Sequence, residues 1–579
     1  MFGKNWTTSS RRYRIKVLYD VRIPMRDGAA LSADIYLPDA DGAFPAVLGL
    51  HCYHQHTQTA PIMPREYVAS AYPKPDMDIG NGVLESGDPV FYARRGYVHV
   101  ICNVRGSGKS DGVYPFLNET ESQDGYDVVE WIALQPWCDG NVGMFACSYY
   151  GYTQFFTAAA NPPHLKCIFP SWSATDQYRD LIYHGGILSY KFINKWCDTI
   201  HNLRYTSQLK TMWGEERYRQ ELERARNDPE LRGIPEIMDA LEHPDASPRN
   251  ALAADIWLSR DAGEFWEKRL VDHSKITVPM YVGCCWGMYG LHLPAAFRAF
   301  QAHKGAKKMF IGPPVYLDRP MYQLQYESLR WFDYWLKGME NGIMDEPPIR
   351  LYMRSQGTWK EAEEWPLPET RWTPFLLHEN HLLWEREYFP YEGCTSFSDS
   401  PYEHGSVSFM TPQFVEETEV VGPSVLELYA ATTIDEILWF VSVYEVAADG
   451  KEQLLIKGWL RGSHKDTYDE ARSKPWLPYY RHDKRTPLVP GEINRFLIPV
   501  LPMANVFKMG TRLKVRIGCC DLPAANSMEG TTVGHIKQPY CSRITIFHDA
   551  EHPSCFHVPI VRGNLIGTFI SGGHPYLNE

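Results

Sequence analysis

Residues Gly143–Gln154 read GMFACSYYGYTQ. An apolar run climbs to Ser148, and two tyrosines and a glycine follow. This order predicts a buried strand that ends in a sharp turn, with Ser148 at the apex and a helix beyond it. A serine at the top of a strand–turn–helix sits on strained backbone, and small neighbours let the turn close and lift Oγ into a cleft. The usual pattern is G-x-S-x-G. Here Ala146 stands two before the serine and Gly151 three after it, so the pattern alone is weak and competes with a plain buried turn.

Working outward, PAVLGL (Pro45–Leu50) and YVHVICNV (Tyr97–Val104) are short and rich in β-branched residues, as buried parallel strands are. Val128, Val129, Trp131, Ile132 and Leu134 fall at helical spacing, and Pro136 ends that helix. Strand, helix and strand in this order give an α/β pattern with right-handed crossovers. From Trp172 to Leu270 the chain is charged and helical, which predicts an inserted cap. Buried-strand signatures return at Ile276–Trp286 and Lys307–Pro314, and Tyr326–Met339 is a strongly amphipathic helix. Beyond Asp345, short alternating strands such as SVLELYAATT and RLKVRIGCC predict a β-sandwich or jelly roll. The expected domains are a first part of the core at 1–171, a helical cap at 172–271, a second part of the core at 272–347 and a jelly-roll β-sandwich at 348–579.

Composition narrows the function classes. The 579 residues exceed what one core organises. A net charge of −12 disfavours a nucleic-acid partner, because neutralising phosphates takes a basic surface. There is no apolar run of about 18 residues to span a membrane. The N-terminal stretch MFGKNWTTSSRRYRIKV lacks an apolar h-region, so no signal peptide is expected and a cytoplasmic location is. The 13 cysteines are scattered, with no C-x-x-C pair, and are expected to be buried free thiols. Cys52, Cys147, Cys284 and Cys285 adjoin proposed site residues.

Several segments resemble the family of α/β-hydrolases that holds cocaine esterase and the X-Pro dipeptidyl-peptidases. VRIPMRDGAALSADIYLP (Val21–Pro38) resembles its opening hairpins. NVRGSGKSDG (Asn103–Gly112) is similar to its D-x-R-G-x-G-x-S-x-G segment, with Asn103 where Asp is usual. QPWCDGNVGMFACSYYGYTQ (Gln135–Gln154) resembles its nucleophile segment. RWFDYWLKGMENGIMDEPPIRLYM (Arg330–Met353) resembles the join to its β-sandwich, and HDAEHPSCFHVPI (His548–Ile560) its closing strands. The resemblance implies an α/β-hydrolase core, an inserted helical cap and a C-terminal jelly roll. It implies Ser148 as nucleophile, with the Tyr149 backbone N–H and the Tyr53 hydroxyl as oxyanion donors.

The pattern breaks at the partners that a serine nucleophile needs. The family's acid lies in a V-G-G-W-Y-D-like segment, here VGCCWGMYG (Val282–Gly290), where the acid position reads Gly287. The family's base lies in a G-P-W-x-H-like segment, here GPPVY (Gly312–Tyr316), where the histidine position reads Tyr316. His292 and Asp318 lie nearby as substitutes. HCYHQH brings His51, His54 and His56 around Tyr53, as bases for Ser148 or for a substrate. A metal reading of these three imidazoles lacks a known zinc spacing and an interleaved carboxylate. Cys147 adjoins Ser148, but neighbouring strand residues face opposite sides, so a thiol nucleophile is disfavoured.

Three functions follow. The first is an enzyme that hydrolyses a small ester or amide through Ser148 with a non-standard base. The second is a lyase, cyclase or isomerase using Tyr53, Ser148 and Tyr316 as hydrogen-bond or proton donors. The third is an inactive binding protein. The expected partner is a small-molecule substrate, with Trp172, Tyr183 and Trp196 as candidate cleft walls. No cofactor is expected. Hydrolases of this size often self-associate, so a homo-oligomer stays open.

Overall fold

A computed structural model of the chain describes residues 6–55, 58, 85–314, 320–385, 392–521 and 534–564, with 320–323 described in backbone only. Twelve strands are β1 (Ile15–Pro24), β2 (Ala30–Pro38), β3 (Phe44–His51), β4 (Val98–Asn103), β5 (Cys138–Cys147), β6 (Leu165–Ser171), β7 (Tyr183–His184), β8 (Ile187–Leu188), β9 (Met280–Cys285), β10 (Lys307–Gly312), β11 (Ile349–Met353) and β12 (Thr358–Ala362). All but β7 and β8 form one mixed sheet in the order β1-β2-β4-β3-β5-β6-β9-β10-β11-β12. The middle, from β4 to β11, is parallel, and the flanking β1–β2, β2–β4 and β11–β12 pairs are antiparallel. Every residue of β4 and β9 is buried, as in parallel strands covered on both faces.

The helix Tyr149–Ala159 packs on β3, β5 and β6, and the helix Pro320–Lys337 also packs on β5 and β6. The sheet runs on through β12 to Ala362, past the 347/348 boundary expected from sequence. Ile349, Arg350 and Leu351 pair in parallel with Met309, Phe310 and Ile311. DEPPIRLYMR reads as the first strand of a new domain because nothing local shows which sheet edge it joins.

Between β6 and β9 the chain is mostly helical, with helices at Tyr190–Cys197, Gln208–Trp213, Glu215–Arg226, Pro235–Glu242 and Pro248–Leu258. The ribbon β7–β8 interrupts them. Ser207 and Ser247 cap two of these helices by accepting from Lys210 N and Asn250 N.

The C-terminal strands are β13 (Arg371–His378), β14 (Leu382–Trp384), β15 (Cys394–Asp399), β16 (Ser406–Met410), β17 (Thr418–Thr432), β18 (Leu438–Val446), β19 (Glu452–Arg461), β20 (Asn494–Phe507), β21 (Arg512–Gly518), β22 (Ser542–Phe547) and β23 (Cys555–Arg562). β23 pairs with both β13 and β17, so this second sheet closes on itself and leaves few edges. All 13 cysteines are free thiols, and only Cys394 and Cys541 are exposed. Among the described residues no helix is long and apolar enough to cross a membrane.

Candidate active site

The elbow forms as the sequence predicts. β5 ends at Cys147, the helix starts at Tyr149, and Ser148 between them has φ 58° and ψ −124°. A non-glycine residue there is strained by about 1–3 kcal/mol and persists only where its surroundings fix it. They do so here. The Ser148 N–H lies 2.8 Å from the Trp172 carbonyl and 3.1 Å from that of Ser171. Gln154 ties the two strands beneath, donating to Ala146 O at 3.1 Å and accepting from Phe169 N at 3.0 Å. Gly151 is needed for packing, because a Cβ there would stand 2.6 Å from the Ser173 Cβ.

Ser148 is buried and faces phenols. Its hydroxyl lies beside Tyr53 and Tyr152 and offsets a little of the burial that pushes both phenol pKa values well above the usual 10. Both phenols are therefore neutral donors. Trp196 Nε1 reaches the Tyr53 oxygen at 3.4 Å. The first-turn N–H of Tyr149 has no intrahelical acceptor and so is available to an oxyanion. The Tyr149 side chain turns elsewhere, accepting from Tyr114 at 2.9 Å and donating to Glu121 at 2.5 Å.

Asn103 sets the position of Tyr53. Its Nδ2 donates to the Tyr53 carbonyl at 2.9 Å, a bond that an ionised aspartate could not make. Behind Tyr53, the His51 Nδ1 accepts the Tyr53 N–H at 3.2 Å and its Nε2 donates to Gln55 at 3.0 Å. With both nitrogens engaged and burial pressing its pKa to about 3, His51 supports the loop. His54 rests against the His201 ring at 3.9 Å, in the wall of a cavity of about 710 Å³ that Ser148 does not line. Neither histidine is hydrogen-bonded to Ser148 among the described residues. His56, Tyr316 and Asp318 lie outside the described residues.

His292 does come to the site. Its Nδ1 is 3.2 Å from the Tyr152 hydroxyl, so Tyr152 stands between Ser148 and an imidazole. Burial holds His292 near pKa 3, against a smaller upward pull from the Ser173 and Leu291 backbone. Sequence reasoning missed Tyr152 and also Glu85. Its carbonyl accepts from Cys147 N, and its carboxylate raises the pKa values of Tyr53, Tyr150 and Tyr152. Tyr152 had a readable signal, since it lies one helical turn beyond Ser148. Glu85 had none.

At the acid position Gly287 sits in a short 3-10 turn, Trp286–Met288, where a Cβ would meet the Pro314 carbonyl at 3.0 Å. The end of β9 instead carries Cys285, whose sulfur accepts from Trp172 Nε1 at 3.2 Å. Burial opposes ionising Cys285, but the Cys284 thiol, Trp172 and the N–H groups of Gly287 and Met288 outweigh it and lower its pKa. Of the three expected wall aromatics, Trp196 borders Tyr53 and Tyr149. Trp172 supports the elbow, and Tyr183 stacks on Tyr178 within the cap at 4.8 Å.

Two family profiles cover most of the chain. Residues 27–315 match X-Pro dipeptidyl-peptidase (S15 family), and residues 341–556 match the X-Pro dipeptidyl-peptidase C-terminal non-catalytic domain. A cocaine esterase from Rhodococcus sp. (strain MB1 Bresler) is 25% identical, the alignment covering 94% of this chain and 99% of the esterase. A CocE/NonD family hydrolase from Staphylococcus aureus superposes with TM-score 0.76 at 27% identity, over 94% of this chain and 93% of that one. An α-amino acid ester hydrolase, at 16% identity, shares the fold with TM-score 0.72 over 96% of this chain and 98% of its own.

Proposed function

We propose that this chain, which belongs to the X-Pro dipeptidyl-peptidase S15 family of α/β-hydrolases, is a hydrolase that cleaves a small acyl ester or amide through Ser148. The observation that carries this reading is the strained Ser148 elbow, with the Tyr53 and Tyr152 phenols beside it.

Ser148 Oγ attacks the substrate carbonyl. The oxyanion that develops is met by the Tyr149 N–H and the Tyr53 O–H, and one such donor contributes roughly 3–4 kcal/mol to lowering a barrier. The serine proton passes to Tyr152 as the Tyr152 proton passes to His292 Nδ1. For this relay the His292 proton sits on Nε2, which leaves Nδ1 to accept from the Tyr152 hydroxyl 3.2 Å away. An imidazole near pKa 3 is a weaker acceptor than an ordinary one, so turnover is slower than a Ser-His-Asp site gives. The same property sets the pH profile. His292 stays neutral at every pH above about 3, so kcat/KM should hold level from pH 8 to 5, without the loss near 6.5 that an ordinary histidine base imposes.

The test is intact mass after incubation with a fluorophosphonate, comparing the wild type with Ser148→Ala. A stoichiometric adduct that the variant lacks supports the reading. A folded wild type that forms no adduct overturns it. That result would favour the second reading, proton-transfer chemistry beside a carbonyl, which draws its support from a pocket rich in neutral phenol donors and poor in bases. Tyr53→Phe should then cost more activity than Ser148→Ala.

A further inference from the structure

Far along the chain from the serine, β23 begins Cys555-Phe556-His557. Residues two apart on a strand share a face, so the thiol and the imidazole project together. The neighbouring strand β17 places Glu427 directly opposite Cys555 and Val425 opposite His557. The three side chains meet. Cys555 Sγ is 3.3 Å from His557 Nε2, and His557 Nε2 is 3.4 Å from Glu427 Oε2. All three donor atoms lie within 4.8 Å of one another.

Two chemistries could use a thiol, an imidazole and a carboxylate, and the geometry separates them. In a nucleophilic triad the histidine turns one nitrogen to the nucleophile and the other to the acid. Here Sγ and Oε2 both face the same nitrogen, Nε2, so the donors converge on one point. Zinc bonds of about 2.0–2.3 Å at tetrahedral angles hold N, O and S donors about 3.3–3.6 Å apart. The two distances given above fall at that spacing.

The carboxylate is also held in place. Glu427 Oε1 accepts from Arg495 Nε at 2.7 Å and from Tyr429 OH at 3.4 Å, which turns Oε2 toward the histidine. Partners of this kind orient the ligands of metal sites. The thiol is buried, and the His557 side chain is 28% exposed, so the cluster opens to solvent on the histidine side.

We propose that Cys555, His557 and Glu427 form a zinc-binding site on the jelly roll, with the fourth coordination position open to water. Sulfur and imidazole donors favour zinc over magnesium or calcium. Binding expels the thiol proton and clips the start of β23 to β17.

The test uses the full chain, reduced and stripped of metal, titrated with Co²⁺ as a spectroscopic probe and then with Zn²⁺. A Cys394→Ala/Cys541→Ala background removes the two exposed thiols as competitors. The expected result is one cobalt per chain with a thiolate-to-cobalt charge-transfer band, which an equivalent of Zn²⁺ displaces. Cys555→Ala should abolish the band, and His557→Ala should weaken binding at least tenfold. His557 is partly exposed, so its variant tests the site even where Cys555→Ala fails to fold. No band, a band that survives Cys555→Ala, or His557→Ala binding as tightly as the parent would each overturn the proposal.

Discussion

Asn103 donates to the Tyr53 carbonyl at 2.9 Å and sits under Gly108, whose φ of 51° and closeness leave no room for a Cβ, which would meet Asn103 Oδ1 at 2.2 Å. A carboxylate at 103 has no proton to give and would face that carbonyl in a buried place. Asn103→Asp is therefore expected to lose about 1–3 kcal/mol at pH 8. Burial raises the folded-state pKa of the new acid, so the deficit should shrink as the pH falls and the acid becomes a donor again. Urea midpoints at pH 8 and pH 5 measure this, and a variant as stable as the wild type at pH 8 sinks it. The sequence marks Asn103 as a departure from a resembled pattern but does not say what it holds. Ser148 is legible for the opposite reason: the elbow is a local event of strand, turn and helix. His292 is legible only as a histidine five residues beyond the acid position, and Glu85 reaches the site through tertiary packing, which no spacing in the chain encodes.

The helix Glu119–Ala133 carries Glu121 into a buried position, where its carboxyl accepts from Tyr149 OH and from Leu117 N. Burial is the largest influence and lifts its pKa to about 7, against the hydrogen bonds that pull it down. The sign follows from the raised value. The folded state keeps a proton on Glu121 that the unfolded chain releases near 4.5, so this stabilisation is full below 4.5 and is lost as the pH rises through 7. The loss amounts to about 3 kcal/mol by pH 8. Glu121→Gln keeps a neutral acceptor and removes the titration. Between pH 5 and pH 8 the wild type should lose more thermal stability than the variant, and parallel curves would refute the assignment. At this scale the sequence reads well where periodicity is strong, as in the amphipathic helix ending at Lys337. It reads poorly where identity depends on a neighbour, as for β11 and β12, whose alternation fits either sheet.

Across the whole molecule, the cap and the jelly roll meet at a buried ion cluster. Glu230, between two cap helices, accepts two bonds from Arg461 on β19, each 2.9 Å, and is also paired with Arg260 of the cap. Arg461 in turn reaches Glu436 at 2.8 Å, and Arg485 stands 3.8 Å from Glu230. The backbone makes the same junction, with Arg461 N donating to Gly185 O at 2.8 Å. Burial alone would raise the Glu230 carboxyl, but Arg461, Arg260 and Arg485 outweigh it and hold the pKa at about 2. A depressed carboxyl contributes its stability above the unfolded value near 4.5 and loses it as the pH falls toward 2, about 3 kcal/mol in all. Glu230→Gln leaves the buried guanidinium groups short of a counter-charge, and breaking a buried pair from one side costs about 3–5 kcal/mol. The gap to the wild type should stay constant from pH 7 to about 4.5 and narrow below that. The cluster joins two domains, so the variant's melt should also broaden or split as the jelly roll and the cap lose their shared cooperativity. Denaturation followed at pH 7, 4.5 and 3.5 decides it. A Glu230→Gln protein within 1 kcal/mol of the wild type at pH 7 and melting in one sharp step would mean that the apolar contacts between the domains, and not this cluster, hold the cap in place.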